Sequence, residues 1–509
     1  MVARREVRRR MHSNLVFARP ADGSPLVFGY HVHPPEPGQQ SDGQAPGSRP
    51  VAKLSSEDDD VYIVPLVLVV EGDAGQREAV AAAIRRGSER FDVERDDGVE
   101  GDVEVFRLTK PGVPDAPFDA AATKATLTTL QELLAPPDGS LPITARVAPA
   151  YGFLTHQTTH PSDDPEKADR EVVLPAGPEG GGVKVVVIDT GLWDGWEWMG
   201  PTYPDGTGAL GAVVYESDPL AAFDAAGAPT GFLGRAAGHG TFIAGILRQL
   251  VPQAGLVVLR AASVEGLVDE PKFFATLNDV VTNHADVDIV VIASGGYALP
   301  LAGTSLAASG TPPKGKEWLA PILLRKGIQN VLEHTSAVIV MSAGNSGSSD
   351  PSFPAAFAGP KWRNGLTKGD DRLISVAALD AEGFRADFSN YGDPRVGHAD
   401  RQWVVASAPG VRLLSSYVHG REDPDNDPDN PPSEWPGGEP PYASWTGTSF
   451  SAPAVAGRIA EQLGRLRRFH PDTEPVQAWL GLQANGGTER SDGCGVRIDA
   501  NVARARPIT

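Results

Sequence analysis

The sequence predicts an α/β protein, with a largely parallel sheet preceded by a smaller α+β unit. Three observations carry that prediction. The apolar runs Val183–Ile188, Ile289–Ile292 and Ala337–Met341, rich in β-branched residues, have the composition of strands buried on both faces. These runs lead into turns of small residues: Asp189-Thr190-Gly191, Ser294-Gly295-Gly296 and Ser342-Ala343-Gly344-Asn345. Residues 61–150 alternate between period-2 and period-3.6 patterns in the order β-α-β-β-α-β.

Composition bounds what the chain can be. Its 509 residues leave room for two or three domains, and 41% hydrophobic content supports a large core. A net charge of -20 argues against nucleic acid or an anionic membrane as the main partner. The single cysteine, Cys494, excludes an intrachain disulfide. The basic start Met1–Arg10 leads into no apolar run of signal-peptide kind, and no stretch is long enough to span a membrane. The expectation is a cytoplasmic protein, with non-classical export as the alternative.

Taken in order, residues 1–60 hold a hairpin at about Leu15–Val32 and then a Pro-, Gly-, Gln- and Asp-rich linker. Residues 61–150 follow as a small domain. Its strands are expected at Val61–Val70, near Phe91–Val93, at Val103–Leu108 and at Pro142–Val147. Its helices are expected at Asp73–Arg86, with Val80, Ala83 and Ile84 on one face, and at Phe118–Leu134. That order is the ferredoxin-like arrangement. Residues 151–182 read as a polar linker, and 183–509 as the larger domain.

Four short blocks in the larger domain carry chemistry. Asp189 ends a strand, where α/β sheets collect functional groups, although an isolated Asp-Thr-Gly more often only starts a turn. His239 lies in Gly238-His239-Gly240-Thr241, ahead of a helical pattern, and its flanking glycines permit close approach of another chain. Asn345 follows another strand in a Gly-rich turn, placed either for its backbone tolerance or to aim an N–H at a developing oxyanion. Ser449, in Trp445-Thr446-Gly447-Thr448-Ser449, opens an Ala-rich helix, where it serves as an ordinary cap or as a nucleophile. Together they compose a full acyl-transfer set.

The four blocks resemble the motifs of the subtilisin-like serine proteases, the subtilases, in the order Asp, His, Asn, Ser. Ile289–Gly296, Phe388–Gly392 and Ala406–Val411 resemble further signatures, and the resemblance covers about residues 180–470. Two departures stand out: Phe242 where the family often has a second His, and Phe450 where it usually has Met.

The resemblance implies a subtilisin-like, doubly wound and mostly parallel sheet flanked by helices, with serine endopeptidase activity on polypeptide substrates. Asp189, His239 and Ser449 would be the catalytic residues, and Asn345 would sit in the oxyanion hole. Ser294, Gly295 and Gly296 would line an open groove for an extended peptide, with Ser352 at the base of the specificity pocket. No metal or organic cofactor is required. The acidic tract Arg421–Asn430 offers oxygen ligands for a structural calcium, but without the spacing of a defined calcium loop. The small N-terminal domain has three open roles: a removable propeptide that inhibits intramolecularly, a permanent regulatory module, or an unrelated α+β domain. A catalytically silent peptide-binding scaffold and an esterase are the rival functions.

Overall fold

The computed structural model describes residues 31–32, 51–55, 60–96, 101–110, 120–134, 144–155, 164–168, 172, 180–196, 210–223, 229–299, 318–363, 366, 371–393, 402–422, 433–437, 441–485 and 492–505. The expected hairpin near Leu15–Val32 and the acidic tract after Glu422 fall almost wholly outside them.

The N-terminal elements are β1 (His31–Val32), β2 (Ala52–Ser55), β3 (Asp60–Glu71), α1 (Ala74–Arg86), β4 (Asp92–Asp96), β5 (Val103–Thr109), α2 (Ala120–Leu134) and β6 (Arg146–Leu154). Helix α1 starts where a capping box forms: the Asp73 side chain accepts the Gln76 N–H, and the Gln76 side chain accepts the Asp73 N–H, both at 2.8 Å. Strand order is β1-β2-β3-β5-β4, with β6 on the other side of β3, and every pairing is antiparallel.

After β7 (Glu166–Lys167) come β8 (Lys184–Asp189), β9 (Val213–Tyr215), a hairpin of β10 (Ala221–Phe223) and β11 (Pro229–Leu233), α3 (His239–Leu250) and β12 (Gly255–Arg260). They are followed by β13 (Leu267–Asp269), α4 (Glu270–Asn283), β14 (Ile289–Ile292), β15 (Gly296–Tyr297), α5 (Ile322–His334), β16 (Val338–Ser342), β17 (Ser352–Phe353) and the short α6 (Pro360–Arg363). The last are β18 (Leu373–Leu379), β19 (Ala406–Pro409), β20 (Leu413–Ser416), β21 (Gly420–Arg421), β22 (Glu434–Trp435), β23 (Tyr442–Trp445), α7 (Thr448–Arg467), α8 (Pro475–Asn485) and β24 (Val496–Arg497). Eight of these strands make one sheet in the order β24-β19-β18-β16-β14-β8-β12-β9, parallel throughout.

Alternation along the central strands explains their unbroken apolar character. Val185 and Val187 join a core with α3 and α7, whereas Val186 and Ile188 face the opposite way, into a core with α4 and α5. That second core runs on without a break into the N-terminal sheet. Tyr151 and Phe153 of β6 are fully buried, and Phe153 meets Phe273 of α4 edge-on with ring centroids 5.8 Å apart. Burying a side chain of that size stabilises by ~1.5–3 kcal/mol.

Three expectations need correction. The last N-terminal strand spans Arg146–Leu154 rather than Pro142–Val147, because its far end pairs with β13 of the larger unit. Residues 52–55 are a strand of the N-terminal sheet, not linker. Residues 151–182 are not simply a linker either: Glu166–Lys167 pairs with β23, and the Glu166 carboxylate meets Arg412 at 2.9 Å. At the C-terminal end, β24 adds an edge strand to the main sheet.

Candidate active site

Asp189 is the last residue of β8, at the carboxyl edge of the main sheet, and it is fully buried. Its Oδ1 accepts the Thr190 N–H and lies 2.8 Å from His239 Nδ1. A carboxylate only accepts, so the bond sets His239 with its proton on Nδ1 and leaves Nε2 as the basic nitrogen. His239 opens α3 after Gly238, whose φ of +76° is a left-handed conformation that suits glycine. Gly240 is equally constrained: a Cβ there would lie 2.2 Å from the Gly191 carbonyl oxygen. The two glycine-flanked turns therefore pack backbone against backbone, and this brings Asp189 to His239.

The His239 ring is enclosed by Trp445 and Phe450, with centroids at 5.3 and 5.2 Å. Phe242 and Phe450, the two departures from the family pattern, pack on each other at 4.6 Å.

Ser449 is the second residue of α7. Its hydroxyl lies 3.2 Å from two carbonyl oxygens, those of Ala293 and Thr155. Asn345 stands beside it. The Asn345 Oδ1 accepts both the backbone N–H and the hydroxyl of Thr448, at 2.9 and 2.8 Å. That fixes the amide with Nδ2 toward Gly447, 3.4 Å from where a Cβ would stand. Asn390, from the Phe388–Gly392 block, steadies the turn: it accepts the Ser346 and Ser348 N–H groups and donates to the Ala343 carbonyl. A positioned acid, base, hydroxyl and amide donor thus converge at the carboxyl ends of β8, β14 and β16 and the start of two helices, an arrangement suited to acyl transfer.

The segments expected to line an open groove are joined by a third strand. Strand β6 runs antiparallel to β13 on one side, and on the other Leu154 exchanges both backbone hydrogen bonds with Gly295, at 2.8 and 3.0 Å. The Thr155 N–H donates to the Gly266 carbonyl at 2.8 Å. Residues 152–155 are therefore a middle strand between β13 and Gly295. Gly296 lies beside them in β15, where a Cβ would approach the Gly152 carbonyl oxygen at 3.1 Å, and Ser294 is buried between the two strands. The Ser352 hydroxyl sits 3.1 and 3.3 Å from the Cβ positions of Gly295 and Gly344.

Two residues escaped the sequence-based search. Thr155 lay in what read as linker, and nothing local marks it as facing a serine far along the chain. Asp218 is a fully buried carboxylate next to the Asp189–His239 pair. Burial pushes its carboxyl up to about 6, and the charge of Asp189 adds to that, against the lowering effect of N–H bonds from Gly238 and Leu220 and the Thr190 hydroxyl. The only sequence signal was a lone Asp before Pro219.

A family model described as "Subtilase family" matches residues 180–496. The chain is 26% identical over 302 residues to an extracellular protease of Xanthomonas campestris pv. campestris, covering 55% of this chain and 44% of that protein. It is 24% identical over 286 residues to a thermostable alkaline protease of Halalkalibacterium halodurans, covering 55% and 56%. With subtilisin Savinase of Lederbergia lenta the figures are 25% over 287 residues, covering 56% and 77%. The chain thus spans about half the length of the first two of these relatives. Among solved structures, fervidolysin from Fervidobacterium pennivorans, a keratinolytic enzyme related to subtilisin, superposes with a TM-score of 0.46 at 18% identity, covering 94% of this chain and 63% of that one. A cold-adapted subtilisin-like serine proteinase gives a TM-score of 0.39 at 20% identity, covering 65% and 94%.

Proposed function

The chain belongs to the subtilase family, and from that membership we propose that it is a serine endopeptidase whose own residues 152–155 hold the groove closed. The observation that carries the proposal is the Asp189–His239 bond, with Phe450 against the His239 ring and its neighbour Ser449 bonded to the Thr155 carbonyl.

In this mechanism Asp189 keeps His239 in the Nδ1–H tautomer and stabilises its imidazolium. His239 Nε2 takes the proton of Ser449 as Oγ attacks the substrate carbonyl, then returns it to the leaving amine. The Asn345 Nδ2–H and the Ser449 backbone N–H stabilise the oxyanion, and neither role calls for a metal or organic cofactor. Polypeptides bind as an added strand between β13 and Gly295, which the present occupant already does. This strand occupancy favours a polypeptide substrate over a small ester.

The same contact supports intramolecular inhibition by the N-terminal sheet, which supplies β6. Fluorophosphonate labelling tests both parts. The full chain is expected to label slowly at Ser449, and to label faster once the chain is cut between Thr155 and Asp164 by an unrelated endopeptidase acting at an inserted site. Labelling that survives Ser449→Ala would remove Ser449 from the mechanism. Equal rates before and after the cut would remove the inhibition.

A further inference from the structure

We propose that Asp218 is a positioning residue that ties the Asp189 turn to the start of the His239 helix and keeps the catalytic pair in register. Its kinetic consequences rest on the endopeptidase reading above.

Three hydrogen bonds define its place. Asp218 Oδ2 accepts the Thr190 hydroxyl and the Gly238 N–H, each at 2.9 Å, and Oδ1 accepts the Leu220 N–H at 3.1 Å. Thr190 directly follows Asp189, and Gly238 directly precedes His239. One carboxylate oxygen therefore holds the chain neighbours of both catalytic residues. Thr190 Oγ1 in turn accepts the Gly240 N–H at 3.1 Å, so the link continues past His239 on its other side. His239 is bracketed at positions 238 and 240 by a single chain of bonds that begins at Asp218.

Asp218 is itself fixed to the same turn. Its N–H donates to the Leu192 carbonyl, and the Leu192 N–H donates to the Glu216 carbonyl, both at 2.9 Å. That lacing requires glycine at 191, whose φ is +100° and whose Cβ would lie 2.7 Å from the Glu216 oxygen and 2.9 Å from the Asp218 nitrogen. A buried carboxylate is an expensive way to close a loop, because desolvation penalises its charge. Here it does what a backbone turn does not, since two donors from separate elements share one oxygen. The charged and titratable groups around it are Asp189 from the turn after β8, His239 from α3, Glu216 on its own segment, Arg260 at the end of β12 and Tyr417 after β20.

A shift of about 1 Å in a catalytic group costs on the order of 100-fold in rate. In the chain cut between Thr155 and Asp164 with both parts retained, Asp218→Ala is expected to lower kcat roughly 10- to 100-fold and to leave KM within about twofold. Asp218→Asn, with its oxygen toward Thr190 and Gly238, keeps both bridging bonds and should recover most of that loss. Wild-type kcat in Asp218→Ala, a loss confined to KM, or an Asn variant no better than Ala would overturn the proposal. If Asp218→Ala does not fold, Asp218→Asn decides alone: kcat within about tenfold of wild type supports it, and complete loss overturns it.

A spectroscopic measurement separates this inference from the endopeptidase reading. In the Ser449→Ala chain, the proton between His239 Nδ1 and Asp189 is expected to give a low-field NMR resonance. It should shift or broaden in Asp218→Ala and persist in Asp218→Asn. An unchanged resonance in Asp218→Ala overturns the positioning role, whatever the activity. The expected pattern in a chain that hydrolyses no peptide would sink the endopeptidase reading and leave the positioning role standing.

Discussion

Glu270, the first residue of α4, sets how firmly the N-terminal sheet is held. Its carboxylate is fully buried and joins three elements. Oε2 accepts the Tyr151 N–H of β6 at 2.9 Å, and Oε1 accepts the Leu323 and Leu324 N–H groups in the first turn of α5 at 2.8 and 2.9 Å. Replacement by Gln divides these roles. The Gln oxygen still serves α5, but its NH₂ meets the Tyr151 N–H donor to donor. Above about pH 7, where the carboxyl is ionised, one bond to a charged acceptor is lost and one buried N–H is left unmet, about 1.5–3 kcal/mol of the hold on β6. At 1.4 kcal/mol per tenfold, that corresponds to roughly 10- to 100-fold more frequent opening. Hydrogen exchange in the Ser449→Ala chain reads it directly, because the Leu154 and Gly295 amides are bonded to each other across the groove. Their protection should fall by that factor in Glu270→Gln while the Leu324 amide stays protected. Unchanged protection at Leu154 and Gly295 would show that Glu270 caps α5 and does not hold β6.

Burial also pushes the Glu270 carboxyl from 4.5 up to about 7. The folded state then binds more protons than the unfolded one between those values, so stability is greatest below about pH 4.5 and declines as pH rises to about 7, by about 3 kcal/mol for this group. Asp218, raised from 3.8 to about 6, adds a decline in the same direction over a lower window. Thermal unfolding of the Ser449→Ala chain from pH 4 to 8 should show the trend, and Glu270→Gln should flatten its upper part; a slope unchanged by that substitution would contradict the assignment. Asn345→Leu should lower kcat by ~10²–10³ with little change in KM, measured on the enzyme freed of its N-terminal strand. Gly240→Ala forces the Gly191 carbonyl away from a Cβ at 2.2 Å and should reduce kcat by on the order of 100-fold; a fully active Ala variant would show that the two turns tolerate separation.

The residues most legible in the sequence owe their positions to local physics. Asp189 and Asn345 follow apolar strands, and His239 and Ser449 open helices, so strand-end turns and helix starts revealed them. The alternation of Val185 to Ile188 likewise announced a strand buried on both faces. What stayed hidden depends on contacts distant in the chain. Nothing near Leu154 signals that it pairs with Gly295, or near Glu166 that it pairs with Ser444. The strand at Arg146–Leu154 was placed too early because its last residues are ordered by β13, more than a hundred positions onward. Asp218 was missed for a related reason: its importance lies in which donors reach it, and those belong to two other elements.

The three-stranded groove has a consequence for competition. The strand that fills it is bonded on both edges, to β13 and to Gly295, so any polypeptide that replaces it must remake the same backbone bonds. In main-chain terms the exchange is close to neutral, so concentration acts beside the core that Tyr151 and Phe153 share with α4 and α5. A tethered strand acts at an effective concentration on the order of millimolar. A polypeptide at about 1 μM therefore competes at a disadvantage of roughly 1,000-fold while the tether is intact. Under the proposed inhibition, cutting the chain after Thr155 would remove that advantage without altering a single residue of the groove, and the covalent connection itself would be the control.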